Sequence, residues 1–154
     1  MNTFFLKKPI LLLLALIFIF SFIKISLYAK EVKVDGIVFI ANKDLCTDQI
    51  SHKNLKKIFL AKKKKWHDHS SVVIAIYVEE NAEKSFLKVI GKSKRQFENY
   101  WKKLIFTGKS KEPIKFDDLD SLIDFVAKTP GAISYIPKSN LKNEKIKLIE
   151  VIEK

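Results

Sequence analysis

Apolar positions along this chain follow two periods. Ile37-Val38-Phe39-Ile40 is a short continuous apolar run within Val32 to Ala41, the pattern of a strand covered on both faces. Val72 to Val78 reads as a second strand, and Ala132-Ile133-Ser134-Tyr135-Ile136, closed by Pro137, as another. Ile146 to Val151 alternates and reads as an edge strand. Between these runs the spacing lengthens to that of helices. Ser51 is placed to cap a short helix with Leu55, Ile58 and Phe59 on one side. Asn81 is expected to cap a second, with Ala82, Phe86, Leu87 and Ile90 inward and Gly91 as its stop. Ser93 and Gln96 form a capping box ahead of Phe97, Tyr100, Trp101, Leu104 and Ile105, which recur at helical spacing until Gly108. Asp117 or Asp118 opens a fourth helix carrying Leu119, Leu122, Ile123 and Val126. Its acidic first turn suits the positive end of the helix dipole, and Thr129-Pro130-Gly131 breaks it. The sum is an α/β chain: a mixed sheet of about four strands flanked by helices.

The first stretch differs from the rest. Lys7 and Lys8 precede an apolar run from Ile10 to Ile23 broken only by Ser21, and Ser26-Leu27-Tyr28-Ala29 follows Lys24. A basic start, a short apolar core and a small residue at the cut describe a secretory signal. The run falls short of the roughly 20 apolar residues that span a bilayer. The expected organisation is a signal peptide over 1–29 and one domain over 30–154, placed in the periplasm or otherwise exported. The alternative is that 1–29 stays as a membrane anchor; once it is cleaved, no membrane span remains.

Removing 1–29 changes the charge picture little. Lys7, Lys8 and Lys24 leave with it and no acidic residue does, so 26 of the 29 basic side chains remain against 17 acidic ones. A surplus of this size favours acidic partners: anionic lipid, cell-wall polymers, an acidic protein face or small anions. Cys46 is the single cysteine, so no intrachain disulfide can form and stability must come from the core.

Candidate chemistry is sparse. Lys62, Lys63, Lys64 and Lys65 form a run suited to an anionic surface or partner, or simply a solvated loop. Nucleic acid is excluded by the expected export and by the absence of aromatic residues interleaved in that run. His67-Asp68-His69 offers metal-ligand types, but consecutive residues seldom converge on one ion and His52 is distant, so no metal is assigned. Trp66 either plugs the domain from a loop or lies at a partner surface; Tyr100 and Trp101 belong to a core by their period. Asp117, Asp118 and Asp120 are explained by capping. No local signature joins a nucleophile to a base, so no enzyme is expected and no cofactor is called for.

Three segments resemble a known family. Asn42 through Ser51 to Ile58-Phe59-Leu60-Ala61-Lys62, with Trp66 after the basic run, is similar to a segment of phosphate ABC transporter substrate-binding proteins. Tyr100-Trp101 with Phe106-Thr107-Gly108-Lys109 is similar to a second segment, and Thr129-Pro130-Gly131-Ala132-Ile133-Ser134-Tyr135 to a third. The resemblance covers roughly Ile37 to Pro137 and implies one lobe of the type II periplasmic-binding-protein fold. A full member has two lobes that clamp a ligand; this chain has room for about one. The resemblance also implies an oxyanion site where the helix after the second strand begins, through free N–H groups and the helix dipole. The positions that would face a ligand there are Asn81, Lys84 and Ser85. The matching turn contains no glycine, and Glu79, Glu80 and Glu83 place negative charge where an anion would sit. Two functions follow: a solute-binding-type protein holding a small oxyanion for uptake or sensing, or a ligand-free module that contacts an envelope sensor or transporter.

Overall fold

β-Branched and aromatic residues fill the middle of the sheet because they sit between helices on both sides. The computed structural model describes residues 30–31, 34–141 and 144–153; the expected leader over 1–29 lies outside the described residues. The chain divides into two units, Met1–Lys30 and Glu31–Lys154. In chain order the elements are β1 (Lys30–Glu31), β2 (Ile37–Ala41), β3 (Gln49–Ser51), α1 (His52–Phe59), β4 (Val73–Tyr77) and α2 (Glu80–Ile90). They continue with α3 (Lys94–Phe106), β5 (Ile114–Phe116), α4 (Leu119–Lys128), β6 (Ala132–Pro137) and β7 (Lys147–Glu153).

Strands β2 to β7 form a mixed sheet in the order β7-β2-β6-β4-β5, with β3 beside β7. β6 lies between β2, antiparallel with Phe39 opposite Tyr135, and β4, parallel with Ile74 opposite Ile133. Every β6 residue from Ala132 to Ile136 is buried. β4 pairs parallel with β5, and β7 pairs antiparallel with β2 and parallel with β3.

The core gathers around Tyr135. Its ring stacks on Phe86 of α2, with centroids 4.3 Å apart and planes 7° apart. Phe59 of α1 meets the edge of Phe86 at 4.9 Å, and Phe97 of α3 meets it at 5.5 Å. The Tyr135 hydroxyl donates to the Tyr77 carbonyl at the end of β4 (2.6 Å). At the other end of the sheet, buried Asn42 donates from Nδ2 to the carbonyls of Val126 (3.1 Å) and Ala127 (2.8 Å), satisfying the C-terminal end of α4. Trp66 is buried and its indole donates to the Gly131 carbonyl (2.9 Å), so it plugs the fold from the loop before β4.

Three expectations need correction. From β2 to β7 the described residues hold six strands, where about four are expected. β3 and β5 are three residues each, too short for any period to show in sequence. β7 is not a free edge: its first half is bonded to β2 and its second half to β3, which is why Ile149, Val151 and Ile152 are buried. Ile105, expected on the inner face of α3, is 39% exposed, and only Phe97 and Trp101 of that helix are buried.

The turn into β6 is tight. Gly131 has φ +74°, and a Cβ there would run into the backbone carbonyl of Ser71; Gly108 has φ +64° with open space around it. Alanine at either position meets the left-handed penalty of about 1–2 kcal/mol. Gly131→Ala is expected to lose about 1–3 kcal/mol more than Gly108→Ala, because only the former also displaces backbone. Urea unfolding of both variants measures the difference, and equal losses would refute the close approach.

Candidate functional site

The turn from β4 into α2 is where the sequence places a ligand. β4 ends at Tyr77, Val78 donates its N–H to the Phe116 carbonyl (2.9 Å), and the helix begins at once. The expected cap is corrected here. Glu79, not Asn81, is the N-cap: its carboxylate accepts from the backbone N–H of Asn81 (3.0 Å) and of Ala82 (2.8 Å). The physical reason is phase. With Ala82, Phe86, Leu87 and Ile90 all facing inward, the helical turn must already be running at Glu80, which leaves Asn81 inside its first turn. Glu83 donates its N–H to the Glu79 carbonyl (2.8 Å), and its carboxylate pairs with Lys94 of α3 (2.7 Å).

The donors that would hold an oxyanion at this helix end therefore already serve the chain's own carboxylate. Those two N–H groups hold the Glu79 carboxyl below its ordinary value of 4.5, Asn81 contributing first. Burial, and then the charge of Glu79, push the Tyr77 phenol up. Asn81 and Lys84 are exposed, and Ser85 is half-buried against Gly36. The structure does not bring the three to one pocket: of them, Lys84 alone lines the groove between α2 and α3, about 780 Å³ in volume.

The basic run sits elsewhere. Lys62 and Lys63 both donate their N–H to the Lys57 carbonyl at the end of α1, and Lys64 Nζ donates to the Lys109 carbonyl. Lys62, Lys64 and Lys65 are exposed and Lys63 is half-buried. Lys62 also lines a groove of about 690 Å³ along α1 with His52, Lys53, Lys56 and Lys57, which the sequence pattern did not single out. The spacing of those lysines along one short helix was the available signal. In the loop beyond, the Asp68 carboxylate accepts from the N–H and hydroxyl of Ser70, which hold its pKa down. Among the described residues no group of three or more His, Cys, Asp and Glu side chains is gathered for a metal, and no helix is long and apolar enough to cross a membrane.

Neither protein-family models nor curated protein sequences match the chain. Solved structures do. It is similar to an ABC-type phosphate transport receptor from Vibrio cholerae, with TM-score 0.58 and 12% identity, over 80% of this chain and 49% of that one. It is similar to PstS from Borrelia burgdorferi, with TM-score 0.57 and 21% identity, over 83% and 52%. It is also similar to a phosphate-transporter-type substrate-binding protein from Clostridium perfringens, solved with phosphate bound, with TM-score 0.58 and 18% identity, over 80% and 48%. At these identities the likeness is one of fold. The chain spans about half the length of these proteins and matches one lobe of the type II periplasmic-binding-protein architecture. The neighbours are non-enzymatic binding proteins.

The capping arrangement sets a pH signature. The folded Glu79 carboxyl titrates below the unfolded one, so its contribution is present above the ordinary value of 4.5 and is lost as pH falls through the lower folded value. Glu79→Ala is expected to lower the thermal midpoint at neutral pH, with the gap to the parent closing under acid. Calorimetric scans across a pH series test this; a gap of constant size counts against the cap.

Proposed function

We propose that this chain is an exported, non-enzymatic binding lobe that acts as an interaction module, contacting an envelope sensor or transporter without clamping phosphate at the start of α2. The observation that carries this reading is the Glu79 carboxylate seated on the N–H groups of Asn81 and Ala82. A helix start attracts an oxyanion through those donors and its positive end. Here a resident carboxylate fills that role, and Glu80 and Glu83 add like charge in the first turn.

Export rests on the sequence pattern of 1–29, which an export reporter fused to the chain would test directly. The solute-binding reading, in which Asn81, Lys84 and Ser85 hold a small oxyanion, has the fold likeness in its favour and makes the opposite forecast. Titration calorimetry of the full chain with phosphate and sulfate is expected to give no heat that depends on Asn81 or Ser85. Micromolar binding abolished by Asn81→Ala or Ser85→Ala overturns the module reading.

A further inference from the structure

Exposed large apolar side chains are few among the described residues, and most of them gather at one place. Phe106, at the C-terminal end of α3, is 93% exposed, against 47% for Leu148, the next most exposed. Val78 and Ile105 are exposed as well, and with Pro113 they line a groove of about 330 Å³ between α3 and β5. Phe106 follows Ile105 in the chain, and exposed Ile114 follows Pro113. Scattered single apolar residues are ordinary on a surface, but four of the six exposed here meet at one helix end.

This helix end projects. Thr107, Gly108 and Lys109 are all exposed, and a Cβ on Gly108 would meet nothing within 4 Å. The turn is closed by its own backbone: the N–H groups of Gly108 and Lys109 donate to the carbonyls of Ile105 (3.0 Å) and Leu104 (2.9 Å). Phe106 is therefore held outward on a capped helix end. Lys102 and Lys103 precede it by four and three residues, which puts them on its side of the helix. Lys109 and Lys111 are exposed just beyond. Lys64 donates from Nζ to the Lys109 carbonyl, which brings the basic run of 62–65 to the same tip. Between Lys94 and Lys115 the chain holds two acids, Glu98 and Glu112. Glu112 is paired with Lys115 (2.7 Å), and Glu98 stands about two turns back along α3. Glu83, which also lines the groove, is paired with Lys94.

We propose that this tip docks on an anionic lipid bilayer, with Phe106 entering the headgroup region and the surrounding lysines against lipid phosphates. Aromatic rings sit favourably at that depth, and flexible lysine stems keep their charges at the surface. The projecting aromatic sets this place apart from the rest of the positive surface, which offers charge without an apolar anchor. A second copy would bring two sets of lysines together, which opposes self-association through this face. A single side chain standing outward suits a fluid surface that closes around it, whereas a folded acidic partner needs a socket of matching shape. The contact goes beyond the module reading. It sets the lobe beside a membrane, and it depends neither on a sensor or transporter there nor on Glu79.

The test places a reporter at the tip. Phe106→Trp in the full chain adds an exposed indole, while Trp66 and Trp101 are buried. Its emission is expected to shift to the blue, and to be quenched by acyl-brominated lipid, when phosphatidylglycerol vesicles are added. Phosphatidylcholine vesicles should leave it unchanged. The shift requires contact at position 106 itself, so attachment through 1–29 alone does not produce it. Lys102→Glu with Lys103→Glu should raise the lipid concentration at half-shift by at least about tenfold. Lys53→Glu with Lys138→Glu, an equal charge change at exposed lysines on other elements, should raise it by less than about threefold. An unshifted emission with phosphatidylglycerol overturns the proposal. So do equal losses in the two charge sets, an equal shift with phosphatidylcholine, or an equal shift with polyglutamate, which points to an acidic protein surface.

Discussion

The fold depends on one buried tyrosine. Tyr135 sits on the central strand, lies flat on Phe86 of α2, and reaches with its hydroxyl to the last residue of β4. A buried phenol is costly without a partner, so this hydrogen bond fixes the ring, and the ring fixes the helix above it. Burial drives its acidity far below that of a free phenol, so the group is a permanent donor at any physiological pH. Three elements are located by this contact: the sheet centre, the helix α2, and the strand end from which α2 departs.

The position of the β4–α2 turn follows from that constraint, but its chemistry does not. The fold delivers a helix N-terminus, a place where backbone N–H groups can attract an anion, and the local sequence fills it with glutamate. The fold is shared with phosphate receptors, while these donors are spent internally: the two oxygens of Glu79 serve two consecutive amides.

Sequence pattern alone revealed α1 to α4, because each carries a stripe and three of them the expected cap: Ser51, the Ser93–Gln96 box and Asp118. It also revealed β2, β4 and β6, whose continuous apolar runs reflect cover on both faces. It missed β3 and β5, since three residues cannot display a period of two convincingly. The exposure of Ile105 and Phe106 was also hidden, because a helical stripe does not say where the neighbouring layer ends. Asn81 was preferred as a cap on residue type, and the inward phase of Ala82 overrode that preference.

Ser51 closes β3 and also caps α1, its hydroxyl accepting from the Asn54 N–H, so no linker separates strand from helix. β3 is held by β7, through Gln49 opposite Glu150 and a side-chain bond between them spanning 101 residues of sequence. The axis of α1 is therefore set through β7, 101 residues away in sequence. Closing so long a loop costs entropy and slows folding. Until β3 and β7 pair, α1 has no fixed axis, so the contact of His52 with the Val89 carbonyl reports a completed sheet edge.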